Sequence, residues 1–399
     1  MHTLHKKFDE MTSSKSSPLK KIASAVPFFD EQDIDIILED VKQILKSKKL
    51  VLGPYNKRFE ELFSKYIGTK YAVAVNSATA ALEIVLKYFN VRDKEVIVPA
   101  NTFIACPNTV LYAGGKPVFV DMNPDSFCMD INDVRRKISS KTKVIMAVHL
   151  GGLPEPEMDS LREICEERGI HLMEDCSHAH GATLNGRKVG SLGIAGCFSF
   201  FATKILPTGT GGMITTNDPE LKNFAEAFRH QGGLGGEGQI EVFNQFGYDC
   251  MMNEITAALG INQLSKLDGQ IEKRRTIAEQ YEKGLSKIDG VRCLPHYSDA
   301  SNVYWKFITM LDERIDRDMV RAVLRKEYVI DAGILYPTLC HLQPIYRSMG
   351  HKEGECPIAE KTMKHQLTLP INPYMTIEDV NYVISALDDV IHRRRNQVS

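Results

Sequence analysis

Cys197-Phe198-Ser199-Phe200-Phe201-Ala202-Thr203-Lys204, followed at once by Ile205-Leu206-Pro207-Thr208-Gly209-Thr210-Gly211-Gly212-Met213, decides how the rest of the chain is read. An apolar run of aromatic and small residues predicts a buried strand. It ends in a lysine, which is costly to bury unless it is paired, neutralised or used covalently. Burial lowers a lysine's pKa, and a neutral amine condenses with a carbonyl to give a Schiff base. The glycines let the backbone turn or pass close to a bound group. Taken alone, strand–lysine–glycine turns are common and most such lysines are solvated. Three other stretches change that weighting.

Toward the N-terminus, strands and helices alternate. Apolar runs predict strands over residues 71–75, 95–98, 117–121, 143–149 and 171–175. The 3.6-residue period predicts helices over 31–47, 56–66, 77–89, 103–112, 131–138 and 157–168. Continuous apolar strands between helices imply an α/β fold, a mostly parallel sheet covered on both faces. Ligands of such sheets sit beyond the carboxyl ends of the strands. After about residue 253 a long helical stretch runs toward 285. A smaller α+β region comes next, with a strand over 304–308 and helices over 317–327 and 376–392. We divide the chain into a polar tail at 1–25, a large domain at 26–255 and a small C-terminal domain at 256–395.

A length of 399 residues exceeds what one ordinary core supports, in keeping with two domains. The net charge of −2 gives no support for nucleic acid as a partner. No apolar run is long enough to span a bilayer, and the first residues lack an apolar signal core. Nine cysteines at irregular spacing, with no CxxC pair, suit reduced thiols in a cytoplasm. The cluster Cys176, His178 and His180 has no fourth ligand in sight, so we expect no metal. The single tryptophan, Trp305, shows no role in the sequence.

The residues just after the strands are informative as a set. Asn76-Ser77-Ala78-Thr79-Ala80-Ala81-Leu82 opens a helix with small and hydroxyl residues, which suits an anion or an ordinary cap. Pro99-Ala100-Asn101-Thr102-Phe103 puts an aromatic ring at the sheet rim, either over a planar ligand or in the core. Glu174-Asp175-Cys176-Ser177-His178 ends a strand in a poorly solvated carboxylate that needs a cation or donors. Ser199 lies on the opening run itself, and alternation sets it opposite Lys204 unless the chain bends. An anion seat, a flat ring, a carboxylate for a ring nitrogen and a Schiff-base lysine are the parts that hold pyridoxal 5′-phosphate, PLP.

Motifs in order carry a resemblance. They are Leu52-Gly53-Pro54 with Phe59-Glu60, Ala74 to Leu82, Val96 to Phe103, Pro117 to Asp121, and Val148-His149-Leu150-Gly151-Gly152. Next come Glu174-Asp175 with Ala179-His180-Gly181, Phe198-Ser199-Phe200 with Thr203-Lys204, and His341 to Tyr346 with Leu369-Pro370. From about Val26 to Ile391 the chain resembles the DegT/StrS sugar aminotransferases, PLP enzymes of fold type I. The resemblance implies that Lys204 bonds PLP and shuttles a proton, and that Asp175 pairs with the ring nitrogen. It implies that His178 lies near the ring hydroxyl, that Phe103 stacks on the ring, and that Ala78, Thr79 and Ser199 bind the phosphate. It also implies a homodimer with shared sites, in which the neighbour's loop 247–252, Asp249 included, reaches the phosphate. Tyr336, His341 and Gln231 are the expected substrate contacts. The implied reaction moves an amino group from L-glutamate to a keto group of a nucleotide-linked sugar.

Four positions depart from the family pattern. The family's Gly-x-Asn-x-Arg-Met loop reads Gly247-Tyr248-Asp249-Cys250-Met251-Met252 here, Thr210 replaces an acidic residue, and Gln231 replaces a histidine. They leave the amino donor and the sugar open. A ketocyclitol acceptor and a non-catalytic regulator on the same fold are the rivals. Dehydratases of the family carry histidine where this chain has Lys204.

Overall fold

A computed structural model describes residues 21–233 and 242–398. The chain is organised on a seven-stranded sheet. Its strands are β1 (Tyr71–Val75), β2 (Glu95–Pro99), β3 (Lys116–Val120), β4 (Thr142–Val148), β5 (His171–Asp175), β8 (Ala195–Ser199) and β9 (Gly212–Thr216), in the order β1-β9-β8-β5-β4-β2-β3. The hairpin β6 (Thr183–Leu184) and β7 (Arg187–Lys188) lies between β5 and β8 in sequence. Only β9 runs against its neighbours, between β1 and β8. The other pairings are parallel, as the continuous apolar runs require.

The expected strand over 197–204 stops at Ser199. Phe200 N–H then donates to Gly211, and Lys204 N–H donates back to the Phe201 carbonyl at 2.9 Å, so the lysine sits on a turn. This is the bend that strand alternation alone could not supply. Phe198 and Phe200 anchor the turn from below. They pack on Phe63 at 4.9 and 5.5 Å between ring centroids, and all three rings are fully buried. Gly212, the first residue of β9, permits close passage: a Cβ there would lie 2.4 Å from the Ser77 carbonyl group.

Helix Pro54–Ile67 presents Phe59 and Phe63 to that cluster. Its N-terminus is held by Glu254, whose carboxylate accepts from the N–H groups of Gly53, Tyr55 and Asn56 at 2.9–3.0 Å. An anion at a helix N-terminus is favoured by the dipole and satisfies orphan donors. The helical stretch after residue 253 is two helices, Glu254–Ser265 and Leu267–Leu285. The first packs on helices Glu31–Ser47 and Pro54–Ile67, so the expected boundary at 255 cuts an element of the larger body.

The smaller region centres on an antiparallel sheet of β10 (Val291–Cys293), β12 (Phe307–Leu311) and β13 (Gln366–Leu369), with helices Arg317–Glu327 and Ile377–Val398. The remaining strand, β11 (Ala300–Ser301), joins β6. The tail is tied down at its end: Ile22 is buried and bridges Ile330. Residues 1–20 lie outside the described residues. No helix of the described residues is long and apolar enough to cross a membrane.

Candidate active site

The carboxyl ends of β1, β2, β5 and β8 open on one cavity of about 670 Å³. Ala78, Thr79, Phe103, Asp175, His178, Ser199, Lys204 and Tyr336, all named from the sequence, line it. So do Thr210 and Trp305.

At the end of β1, Ser77 caps helix Ala78–Tyr88 by accepting from the Ala80 N–H at 3.1 Å. The N–H groups of Ala78 and Thr79 have no acceptor within the helix, and both residues line the cavity at the helix's positive end. Ser199 Oγ, where β8 ends, accepts from the Phe201 N–H at 3.3 Å and holds the turn.

Asp175, the last residue of β5, is buried. Its Oδ1 accepts from the Ser177 N–H at 2.9 Å and its Oδ2 from the Cys106 thiol at 3.0 Å. Among the described residues no lysine, arginine or histidine lies within ion-pair distance of it. Glu174, one residue earlier, points to the other face of the sheet. It accepts from His149 Nε2 and from the N–H groups of Gly190, Leu192 and Gly193 at 2.7–2.9 Å.

His149, Glu174 and Cys176 place donor atoms within 4.8 Å of one another. Nδ1 of His149 accepts from the Glu155 N–H, so Nε2 carries the proton given to Glu174. The atoms a metal would use on these two side chains are thus engaged in pinning the turn at 190–193.

Burial pushes the Lys204 ammonium down to about 8, against the opposing pull of the Asp175 carboxylate. Burial and the charge of Lys204 hold His178 well below the ordinary histidine range, so its imidazole is neutral. His178 shares a hydrogen bond with the Tyr336 hydroxyl through Nε2 at 3.2 Å, while its buried Nδ1 has no partner. Tyr336 itself sits at φ 41°, a left-handed conformation that non-glycine residues rarely adopt.

Trp305 was not readable as a site residue. Its indole stacks on His178, its Nε1–H donates to the Thr203 carbonyl at 2.8 Å, and Lys204 Nζ lies 4.3 Å from its ring centroid. It stands about a hundred residues from Lys204 in the chain, and only the fold joins them.

Three expected residues lie elsewhere. His341, expected as a substrate contact, is fully buried and does not line the cavity of the single chain; its Nε2 meets Glu360 at 2.9 Å and its ring packs near Phe119. Gln231 and Asp249 are exposed and do not line the cavity of the single chain. The Asp249 carbonyl accepts from Asn76 Nδ2 at 3.5 Å, close to the helix N-terminus. The glycine-rich stretch 232–238, which on sequence alone suggests a flexible loop, lies outside the described residues from 234 onward.

These features fit PLP. A buried carboxylate with no cation within ion-pair distance suits a protonated ring nitrogen. The unpartnered His178 Nδ1 suits a ring oxygen, and the open helix N-terminus suits a phosphate.

The model of the DegT/DnrJ/EryC1/StrS aminotransferase family matches residues 31–388. GDP-perosamine synthase of Caulobacter vibrioides is 34% identical over 379 residues, covering 94% of this chain and 100% of its own. DesV of Streptomyces venezuelae, solved with a ketimine intermediate, superposes with a TM-score of 0.84 at 32% identity, covering 92% of this chain and 98% of its own. A provisionally named sugar aminotransferase of Streptococcus pneumoniae, in its PLP form, gives a TM-score of 0.87 at 27% identity, covering 94% of this chain and 99% of its own.

Proposed function

Because the chain belongs to the DegT/DnrJ/EryC1/StrS aminotransferase family, we propose that it moves an amino group from L-glutamate to a keto group of a nucleotide-linked sugar, with PLP as cofactor. The observation that carries this reading is the meeting of Asp175 and Lys204 in one cavity with the N-terminus of helix Ala78–Tyr88. The relative named as a GDP-perosamine synthase supports the sugar acceptor, and the neighbour in a PLP form supports the cofactor.

PLP, when bound, supplies an electron sink for the charge left on the substrate α-carbon. The protein supplies the rest. The N–H groups of Ala78 and Thr79 and the Ser199 hydroxyl hold the phosphate, where the helix dipole favours an anion. Asp175 keeps a proton on the ring nitrogen, because a buried carboxylate stabilises the cation beside it. His178, neutral, would offer its unpartnered Nδ1 to the ring oxygen. Phe103, which lines the cavity with an exposed ring, would cover one face of the cofactor ring. Lys204 would bond the cofactor's carbonyl carbon, and its amine, when free, would carry the proton between the substrate α-carbon and that carbon. A group with a pKa of about 8 suits that exchange near neutral pH.

The working unit is a homodimer, in which the neighbour's loop 247–252 completes the phosphate site. The exposure of Tyr248 on this loop and of Phe246 just before it supports a covering surface. The reaction runs in the cytoplasm, which the nine free thiols suit.

The test is a half-reaction. The PLP-loaded protein is mixed with L-glutamate, and we expect loss of its visible absorption with one 2-oxoglutarate per site. Keto-sugar nucleotides are then screened for recovery of the absorption. A protein whose spectrum no amino donor changes is not an aminotransferase.

A further inference from the structure

Cys106 sits in the first turn of helix Ala105–Tyr112, fully buried, with Sγ 3.0 Å from Asp175 Oδ2. Thr102 Oγ1 lies 3.2 Å from the same sulfur, and the Cys340 thiol donates to the Thr102 carbonyl at 3.1 Å. We propose that Cys106 is a positioning residue, whose thiol proton, donated to Asp175 Oδ2, fixes the orientation in which that carboxylate meets the cofactor's ring nitrogen.

The direction of the bond is set by chemistry. An ionised carboxylate only accepts, so the sulfur donates to it and the Thr102 hydroxyl donates to the sulfur. The thiol keeps its proton because burial, and then the charge of Asp175, push its pKa well above the ordinary value. With the Ser177 N–H on Oδ1 and the thiol on Oδ2, each oxygen of Asp175 has one protein donor. That pins the carboxylate plane and leaves lone pairs for the ligand. A thiol is a weaker donor than a hydroxyl. It orients the carboxylate while leaving more of the negative charge to hold the ring-nitrogen proton. The link also ties the small-residue loop after β2 and the stretch around Cys340 to the end of β5.

This inference rests on the PLP reading, so its test has two arms. In the protein without PLP, the infrared S–H stretch is isolated as the difference between wild type and Cys106→Ser. We expect a band at lower frequency than the other thiols show, moving back toward them in Asp175→Asn. In the second arm, PLP retention is measured by equilibrium dialysis. Cys106→Ala and Cys106→Val, which remove the donor, are expected to bind PLP roughly tenfold more weakly, since a hydrogen bond to a buried charge is lost. Cys106→Ser, which keeps a donor, stays within about threefold of wild type. Thermal unfolding of each variant separates misfolding from this effect, and the infrared arm needs no buried substitution in the protein that carries the bond. A Cys106 band at the free-thiol position, or Ala and Val variants that hold PLP as wild type does, overturns the proposal. A wild type that takes up no PLP overturns the aminotransferase reading, and the infrared arm still decides the hydrogen bond.

Discussion

The indole of Trp305 and the imidazole of His178 lie face to face, 3.7 Å between ring centroids and 16° between their planes. Trp305 comes from the stretch before β12, whereas His178 comes just after β5, so the stack joins the smaller region to the carboxyl end of the large sheet's parallel strands. It fixes the plane of an imidazole whose buried Nδ1 has no protein partner. An aromatic pair contributes about 0.5–1.5 kcal/mol beyond its buried area, so Trp305→Leu is expected to lower kcat/KM by roughly two- to tenfold. Trp305→Phe keeps most of the stack and is expected to lose less. Trp305 is the only tryptophan, so intrinsic fluorescence reports this site alone, and PLP binding is expected to quench it. Emission indifferent to PLP would count against a cavity that places the cofactor beside Trp305.

Lys204→Ala is expected to remove the visible absorption of bound PLP together with all amino transfer, while thermal unfolding stays near wild type. The ammonium sits on a surface turn of the cavity, not in the core, so truncation leaves no void under the sheet. A variant that retained both absorption and turnover would remove this residue from the mechanism.

The lowered pKa of Lys204 also fixes a pH dependence. The neutral amine is the nucleophile, and its fraction grows as pH rises toward about 8 and levels off above it. The rate at which the protein without cofactor takes up PLP should therefore rise from about pH 6.5 to 8 and flatten beyond about 9. An amine at the ordinary lysine value would still be climbing there. Stopped-flow absorbance across that range distinguishes the two.

Much of this architecture was legible in the sequence. The runs at 71–75, 95–98 and 171–175 carry enough Val, Ile, Leu and Met to announce buried parallel strands, and the residues just beyond each of them reach the cavity. The antiparallel strand Gly212–Thr216 was not legible, because glycine and threonine around Met213 and Ile214 look like the end of a turn. The bend after Ser199 depends on hydrogen bonds to Gly209 and Gly211, which periodicity does not encode. Cys106 is disguised as an ordinary small core residue of a helix. His341 is the reverse case: a polar side chain in a family motif reads as a ligand contact, and burial against Glu360, which the motif does not encode, keeps it from the wall of the cavity.

Phe63 tests the support beneath the lysine turn. It packs against Phe59, Phe198 and Phe200 edge to face, at 4.9 to 5.8 Å, and is fully buried. Phe63→Ala should cost about 3–5 kcal/mol of stability, the range for emptying an aromatic site in a core. Denaturant unfolding measures it. A cost under about 1 kcal/mol would mean that the ring cluster is not the base on which residues 200–204 rest.

Asp249 tests the shared site. It is exposed in the single chain and its carbonyl already meets Asn76, next to the proposed phosphate seat. If the neighbour's copy of loop 247–252 reaches that seat, a carboxylate stands near a dianion, and the repulsion weakens retention. Two like charges about 6 Å apart repel by about 1–3 kcal/mol at effective dielectric constants of roughly 20 to 60. Asp249→Asn is therefore expected to tighten PLP retention by roughly fivefold or more, and the gain should shrink as added salt screens the wild type. Equilibrium dialysis at two salt concentrations measures both effects. Retention unchanged or weaker in the variant would place this loop away from the phosphate, and would leave the missing family arginine at Met251 without a bearing on the cofactor.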